Sequence, residues 1–164
     1  MSTTTMIPVT HDIRQELGDF SSIVCFKALV TGIEEALGAK AANIALISAG
    51  RQRGKSLAAS LGLTNQNPGW DQVTQLLQKA LGPEGTRLCM IDKIVADDES
   101  FQVSCRETIC SSLEDEGSSR NLSYTLGAVQ GAIEEITGKR LRGKQVESVL
   151  RGSDRDVIAF EILA

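Results

Sequence analysis

Few side chains in this sequence have the types and spacing that catalysis or metal binding requires. The four cysteines are Cys25, Cys89, Cys105 and Cys110, and the single histidine is His11. None of the cysteines forms a C-x-x-C pair, since even Cys105 and Cys110 have four residues between them. A zinc site of cysteine and histidine would need ligands from distant segments. We therefore expect free thiols that pack as small apolar groups.

Two pairs of carboxylates and one basic run are the other chemical candidates. Glu34 with Glu35, and Glu134 with Glu135, are adjacent in predicted helices, where neighbouring side chains point in different directions. This spacing predicts solvated helix faces rather than an acid–base pair. Residues 139–144 read K-R-L-R-G-K. Cations at a helix C-terminus interact favourably with its dipole, which explains part of the run. A modest site for an anion or an acidic partner is the alternative.

Sequence motifs of the common enzyme classes are absent. The chain contains no G-x-S-x-G, no H-E-x-x-H, no Walker A loop and no dinucleotide fingerprint. A triad with serine or cysteine as nucleophile would have to use His11. The sequence therefore predicts no catalytic residue and no metal ligand.

Composition and charge reduce the number of functional classes that remain. The chain has 164 residues, of which 41% are hydrophobic, enough for one domain with a core of its own. The net charge of −4 argues against nucleic acid as a partner. No apolar run approaches the roughly 18 residues of a membrane span, and the N-terminus lacks the pattern of a secretory signal. We expect a cytoplasmic protein.

Hydrophobic periodicity predicts four helices. The first runs from a cap at Asp19 or Ser21 to Gly38, and the fourth from a cap at Ser119 or Asn121 to a terminal glycine. The second and third are expected at residues 40–61 and 70–81. The face that the first helix should bury is formed by Ile23, Phe26, Val30, Ile33 and Leu37.

Four segments with strand-like patterns complete the predicted fold. They lie at residues 88–91, 101–105, 145–150 and 157–162, with turns that make them two hairpins. An acidic, flexible loop is expected at residues 113–119. The fold class is therefore α+β, an antiparallel sheet of about four strands packed against about four helices. Residues 1–18 are expected to be a flexible lead-in, and residues 19–164 a single domain.

Two pairs of helical glycines stand out, Gly50 with Gly54 and Gly127 with Gly131. Each glycine in a helix interior costs about 1 kcal/mol relative to alanine. Such pairs therefore indicate either the close approach of another backbone or an apolar pocket. If a pocket is present, Ile47 and these four glycines are predicted to line it.

Several of these segments together resemble a known family, over about residues 20–163. The matching segments are residues 38–50, Gly54, Leu57 and Ala58, then residues 123–127, Gly131, Gly138, residues 146–147 and the hairpin at 152–160. They resemble 4-vinyl reductase domains, also called hydrocarbon-binding domains, which are similar to subunits of the vesicle-tethering trafficking complex.

The resemblance implies a non-catalytic module that binds an apolar or tetrapyrrole-like molecule. Its most specific implication is an accessory or assembly factor for pigments or photosystems, often dimeric. Where many members carry cysteines, this chain has Ser123, Leu150 and Ile158, and no histidine lies in the matching region. The resemblance thus supplies no metal or haem ligand set, and the cofactor stays unknown.

Two other functions stay open at this point. One is a ligand-free scaffold that pairs with a second copy of itself or with another protein of a complex. Whether residues 139–144 also make a peripheral membrane contact is left open by the sequence. The other is an enzyme, either a reductase or a thiol-dependent catalyst, although no hydride-binding fingerprint is visible.

Overall fold

The computed structural model describes residue 16 and residues 22–164. His11, the caps expected at Asp19 and Ser21, and all but one residue of the expected lead-in lie outside this part of the chain. The first helix that is described begins after Ser22, whose hydroxyl accepts a hydrogen bond from the Val24 amide at 3.2 Å. This is the side-chain cap that the sequence pattern placed slightly earlier.

Four helices and a four-stranded antiparallel sheet make up the described fold, which confirms the α+β prediction. The helices are α1 (Ile23–Leu37), α2 (Ala39–Ser60), α3 (Trp70–Leu81) and α4 (Tyr124–Thr137). The strands are β1 (Met90–Ala96), β2 (Ser100–Arg106), β3 (Arg140–Glu147) and β4 (Asp156–Leu163), with a short 3-10 helix at Val149–Arg151. No helix within residues 22–164 is both long and apolar enough to cross a membrane.

The sheet joins two hairpins in the order β1-β2-β4-β3. Strands β2 and β4 form the centre, where Phe101 lies opposite Phe160 and Val103 opposite Ile158. These four side chains are buried, whereas Gln102 between them is exposed. The alternation predicted for these strands thus gives one core face and one polar face.

Helix α4 is the central helix of the core. Eleven of its fourteen residues are buried, so it contacts other elements on nearly every side. Its glycines face α2, and Leu126 reaches Gly143 of β3. Helix α4 therefore separates α2 from the sheet, and its position determines that of both layers.

The third strand begins earlier than its predicted bounds. We expected residues 145–150, but the strand is Arg140–Glu147 and is followed by the 3-10 turn. Leu141 is buried while Arg140 and Arg142 are exposed, which is the two-residue alternation of a strand. The basic residues hid this pattern because they also suit a helix C-terminus.

The fourth helix begins later than predicted, at Tyr124 rather than after Ser119 or Asn121. The amides that an earlier start would place in the first turn are bonded elsewhere. The amide of Leu122 donates to Gln145 Oε1 at 2.8 Å, and that of Ser123 to Cys110 Sγ at 3.4 Å.

Helix α1 does not bury the whole face that its periodicity indicates. Val30 is fully buried, but Ile23 is 39% and Leu37 58% exposed. Lys27 is buried instead, because its Nζ donates to the Cys110 carbonyl at 2.6 Å and pairs with Glu114 Oε1 at 2.7 Å. The helix therefore turns a charge inward and several apolar side chains outward.

Candidate functional site

The glycines of α2 lie directly against the backbone of α4. A Cβ at Gly50 would overlap the Tyr124 carbonyl oxygen and lie 2.9 Å from the Ala128 amide nitrogen. One at Gly54 would overlap the Ala128 carbonyl oxygen and lie 2.8 Å from the Ala132 nitrogen. These distances are too short for any real Cβ, and backbone atoms cannot rotate away. Only glycine is compatible with this approach.

The glycines of α4 have the reciprocal role. A Cβ at Gly127 would overlap the Ile47 carbonyl oxygen, and one at Gly131 the Arg51 carbonyl oxygen. The structure thus brings all five predicted ligand-site residues together at the α2–α4 contact. What faces each glycine there is backbone, so close helix packing accounts for the four glycines. Their part in ligand binding stays a prediction, and Ile47, which is partly buried against the core, is the one that offers a side chain.

The thiols are free, and three of the four are buried. Burial, with a smaller contribution from nearby Cys110, raises the pKa of Cys89 to about 12. Burial likewise raises the pKa of Cys105. A thiol with a raised pKa holds little thiolate, the reactive form, at neutral pH. Cys25 is exposed, contrary to the expectation of buried thiols, and nowhere in residues 22–164 do three Cys, His, Asp or Glu side chains group as a metal site.

Glu134 is not on a solvated face, so that prediction was wrong. Its side chain is 3% exposed and is held by the Arg51 guanidinium, at 2.5 Å from Nε and 3.0 Å from Nη2. The Leu141 amide donates to the same carboxylate at 2.9 Å. Burial raises its pKa, but the hydrogen bonds from Arg51, Leu141 and Gln130 outweigh burial and hold the pKa below its usual value.

Glu34 is also paired rather than solvated. It binds Arg120, which in turn binds Glu114, and Glu114 binds the buried Lys27. This chain of charges connects α1 to the segment before α4, so the acidic loop expected to be flexible is anchored through Glu114. Nothing in the sequence indicates it, because ion pairs between distant positions leave no local pattern.

Asp156 is a second group that the sequence analysis missed. It is fully buried and accepts four hydrogen bonds, two on each carboxylate oxygen. Thr108 and Ser111 donate to Oδ2, while Gln145 and the Val149 amide donate to Oδ1. These bonds tie the loop after β2 to the end of β3, which is a structural role. A lone aspartate at the start of a strand is the only sequence signal.

Comparisons with known proteins support the fold described above. No family model matches the sequence, and the search of curated proteins found no match. Among solved structures, the phenol-responsive sensory domain of the transcription activator PoxR, with phenol, has a TM-score of 0.71 at 11% identity. The match covers 88% of this chain and 76% of that one.

Two further structures carry the resemblance named earlier. A vinyl-4-reductase family protein from Methanocaldococcus jannaschii matches with a TM-score of 0.52 at 16% identity, over 94% of this chain and 89% of that one. This chain shares its fold. A trafficking protein particle complex subunit 3 from Naegleria fowleri, covalently bound to palmitic acid, matches with a TM-score of 0.55 at 16% identity, over 87% and 93% of the two chains. The predicted resemblance is thus confirmed for the fold.

Proposed function

We propose that this protein is a non-catalytic binding module that holds a small apolar molecule and acts as an accessory or assembly factor. The observation that carries the proposal is the shared fold with the PoxR sensory domain, whose structure holds phenol. The trafficking subunit, which carries palmitic acid, supports the same ligand class. Both of these ligands, phenol and palmitic acid, are mainly apolar, which suits a fold whose core is aliphatic.

The site we propose is framed by the α2–α4 pair. Gly50, Gly54, Gly127 and Gly131 set the spacing of the two helices, and Ile47 contributes the apolar side chain beside them. A pigment or another tetrapyrrole-like molecule is the most specific ligand within this proposal, with a role in pigment or photosystem assembly.

The first experiment is to isolate the protein from its native cells. An absorbance spectrum and mass spectrometry of a solvent extract would identify a bound pigment or hydrocarbon. A stoichiometric apolar molecule is the expected result. A folded protein that is empty at full yield would contradict the proposal.

A matched pair of variants tests the position of the site. Ile47→Ala removes a partly buried side chain beside α4, whereas Ile44→Ala removes one that is 65% exposed on the same helix. With the neutral dye Nile red as probe, we expect Ile47→Ala to weaken binding at least fivefold and Ile44→Ala to leave it unchanged. Loss of binding in Ile44→Ala alone would place the dye on the outer surface and contradict the site.

A protein–protein scaffold is the second candidate, and the exposed apolar side chains of α1 favour it. Val24, Leu29 and Leu37 are each more than half exposed, and Ile44 of α2 is exposed as well. The only cation of α1, Lys27, is buried. Exposed large apolar side chains that lie together are typical of interaction surfaces. Its occupant would be a second copy of the chain or another subunit of a complex.

A further inference from the structure

A recess of about 220 Å³ lies where the end of α4, the start of β3 and the middle of α2 meet. It adjoins the glycine contacts at Arg51, whose carbonyl oxygen lies against Gly131, but the side chains that line it take no part in those contacts. Its charged lining consists of Arg51, Lys55, Lys139 and Arg140, with the carboxylates of Glu134 and Glu135. Four cations against two carboxylates leave an excess of positive charge in a concave space.

The sharp turn after α4 places two of these cations. Gly138 ends the helix in the left-handed conformation, with φ of 68°, and β3 begins two residues later. The Lys139 amide donates to Thr137 Oγ1 at 3.2 Å, and Arg140 pairs with Leu163 in the sheet. Both backbone positions are therefore held firmly while their side chains line the recess.

The other two cations come from α2, one helical turn apart. Glu134 receives two hydrogen bonds from Arg51, and Lys55 Nζ lies 3.6 Å from its Oε2. This buried carboxylate orients the Arg51 guanidinium, which is 38% exposed. The two hydrogen bonds use Nε and Nη2, so Nη1 has no described partner. An arginine held in this way can donate to a second anion.

The remaining charges of the recess are unevenly paired. Glu135 accepts a hydrogen bond from the Thr64 hydroxyl at 2.8 Å. The side chains of Lys139 and Arg140 have no ion pair or hydrogen bond within the described part of the chain. Arg142, in the same basic run, is instead paired with Glu161 at 2.6 Å, two residues further along the same exposed face of β3. Of the cations in the basic run, only Lys139 and Arg140 line the recess, because the later ones lie further along β3.

We propose that this recess binds a phosphate group through Arg51, Lys55, Lys139 and Arg140. The cations come from three different elements around one volume, which suits a tetrahedral anion with several acceptor oxygens. The volume exceeds the roughly 30 Å³ share of a water molecule several times, so a phosphate fits with part of the molecule that carries it. That molecule is a free phosphorylated compound or a lipid headgroup, which share this chemistry.

Calorimetric titration with inorganic phosphate at physiological ionic strength tests the proposal. We expect the double variant Lys139→Gln with Arg140→Gln to bind phosphate at least tenfold more weakly. The control is Arg142→Gln with Lys144→Gln, which removes the same charge from the same basic run but outside the recess. We expect the control to change affinity less than twofold. All four side chains are exposed or partly exposed, so circular dichroism should show both double variants folded.

Three outcomes would overturn the proposal. Equal weakening by both double variants would mean attraction to net charge alone, and unchanged binding by the recess variant would exclude these residues. A wild-type protein that binds neither inorganic phosphate nor vesicles with phosphatidic acid would exclude the site altogether.

The vesicle arm distinguishes the sources of the phosphate. It compares co-sedimentation with phosphatidylcholine vesicles that contain or lack phosphatidic acid. Binding to phosphatidic acid that the recess variant loses and the control keeps supports a headgroup site. Binding of inorganic phosphate without vesicle binding supports a free phosphorylated compound. Nile red binding is independent of both arms, so failure here leaves the apolar-ligand proposal in place.

Discussion

Gly54 and Gly32 are both helical glycines, but their surroundings differ completely. A Cβ at Gly54 would overlap the Ala128 carbonyl oxygen, whereas one at Gly32 meets nothing within 4 Å. We expect Gly54→Ala to lower the free energy of unfolding by about 3 kcal/mol or more, because two backbones must separate. Gly32→Ala should raise it by about 0.5–1 kcal/mol through helix propensity.

Urea unfolding of the two variants measures this contrast. Each replaces glycine by alanine in a helix, so the propensity gain is common to both. Equal stability changes in the two variants would show that α2 and α4 do not lie as close as described.

Glu134 should make the stability depend on acid pH. Burial alone would raise its pKa from 4.5, but the hydrogen bonds from Arg51 and the Leu141 amide lower it. A folded-state pKa below the unfolded value means that the carboxylate stabilises the fold above about pH 4.5. That contribution is lost as the pH falls through the lower, folded-state pKa.

The measurement is the urea midpoint between pH 7 and pH 3 for the wild type, Glu134→Gln and Glu135→Gln. We expect the profile of Glu134→Gln to fall less steeply below pH 4.5 than that of the wild type. Glu135→Gln removes the neighbouring charge and should follow the wild-type slope. Parallel profiles for all three proteins would mean that Glu134 is not a stabilising carboxylate.

At the scale of elements, the exposed side of α1 predicts an association surface. Leu29 is 57% exposed, so Leu29→Glu should change the free energy of unfolding by no more than about 0.5 kcal/mol. If a second copy covers this face, the variant should self-associate at least tenfold more weakly in sedimentation. Leu113→Glu, at a position that is 71% exposed in the loop before α4, is the control. A wild type that is monomeric at micromolar concentration would count against pairing with itself.

Local sequence patterns predicted where helices and strands lie in the chain better than they predicted which face of each is buried. Helix α3 has the predicted bounds. Its hydrophobic periodicity is clear, and the glycine and proline at residues 82–83 end the helix directly after Leu81. Helix α1 has equally clear periodicity, yet Lys27 is buried because Glu114 is far away in sequence and close in space. The bounds of β3 were missed for a related reason, since its cations suit both a helix end and a strand.

The candidate sites were only partly visible in the sequence. The glycine pairs were predicted as a group, and they do meet. The sequence could not decide between a backbone and a pocket opposite them, because glycine suits both. The basic run was noted, but Arg51 and Lys55 were not connected with it. Arg51 and Lys55 are four residues apart and so share a face of α2. This spacing indicates an anion site only when the end of α4 and the start of β3 are known to lie against that face.

At the scale of the whole molecule, the reaction rates of the thiols measure how often the core opens to solvent. Cys25 is exposed, and Cys89, Cys105 and Cys110 are buried. With a thiol reagent under native conditions we expect one group to react at once and three at least about 100-fold more slowly, because exposing them requires opening of the core. Cys25→Ser should remove the fast phase and leave the slow one. Two or more fast thiols in the wild type would contradict the described burial.

The contact between the glycines of α2 and those of α4 also restricts where residues can be inserted or deleted during evolution. One inserted residue between Gly50 and Gly54 would rotate the rest of α2 by about 100° and carry Gly54 away from α4. The interval between the two glycines of α2 matches that between Gly127 and Gly131. A deletion or insertion in either stretch therefore breaks the contact, and a matching change in the other helix would not restore it, because it would rotate the second glycine of that helix away as well. Sequences that descend from a common ancestor with this one should vary in length at exposed turns, such as residues 97–99, and keep both intervals constant.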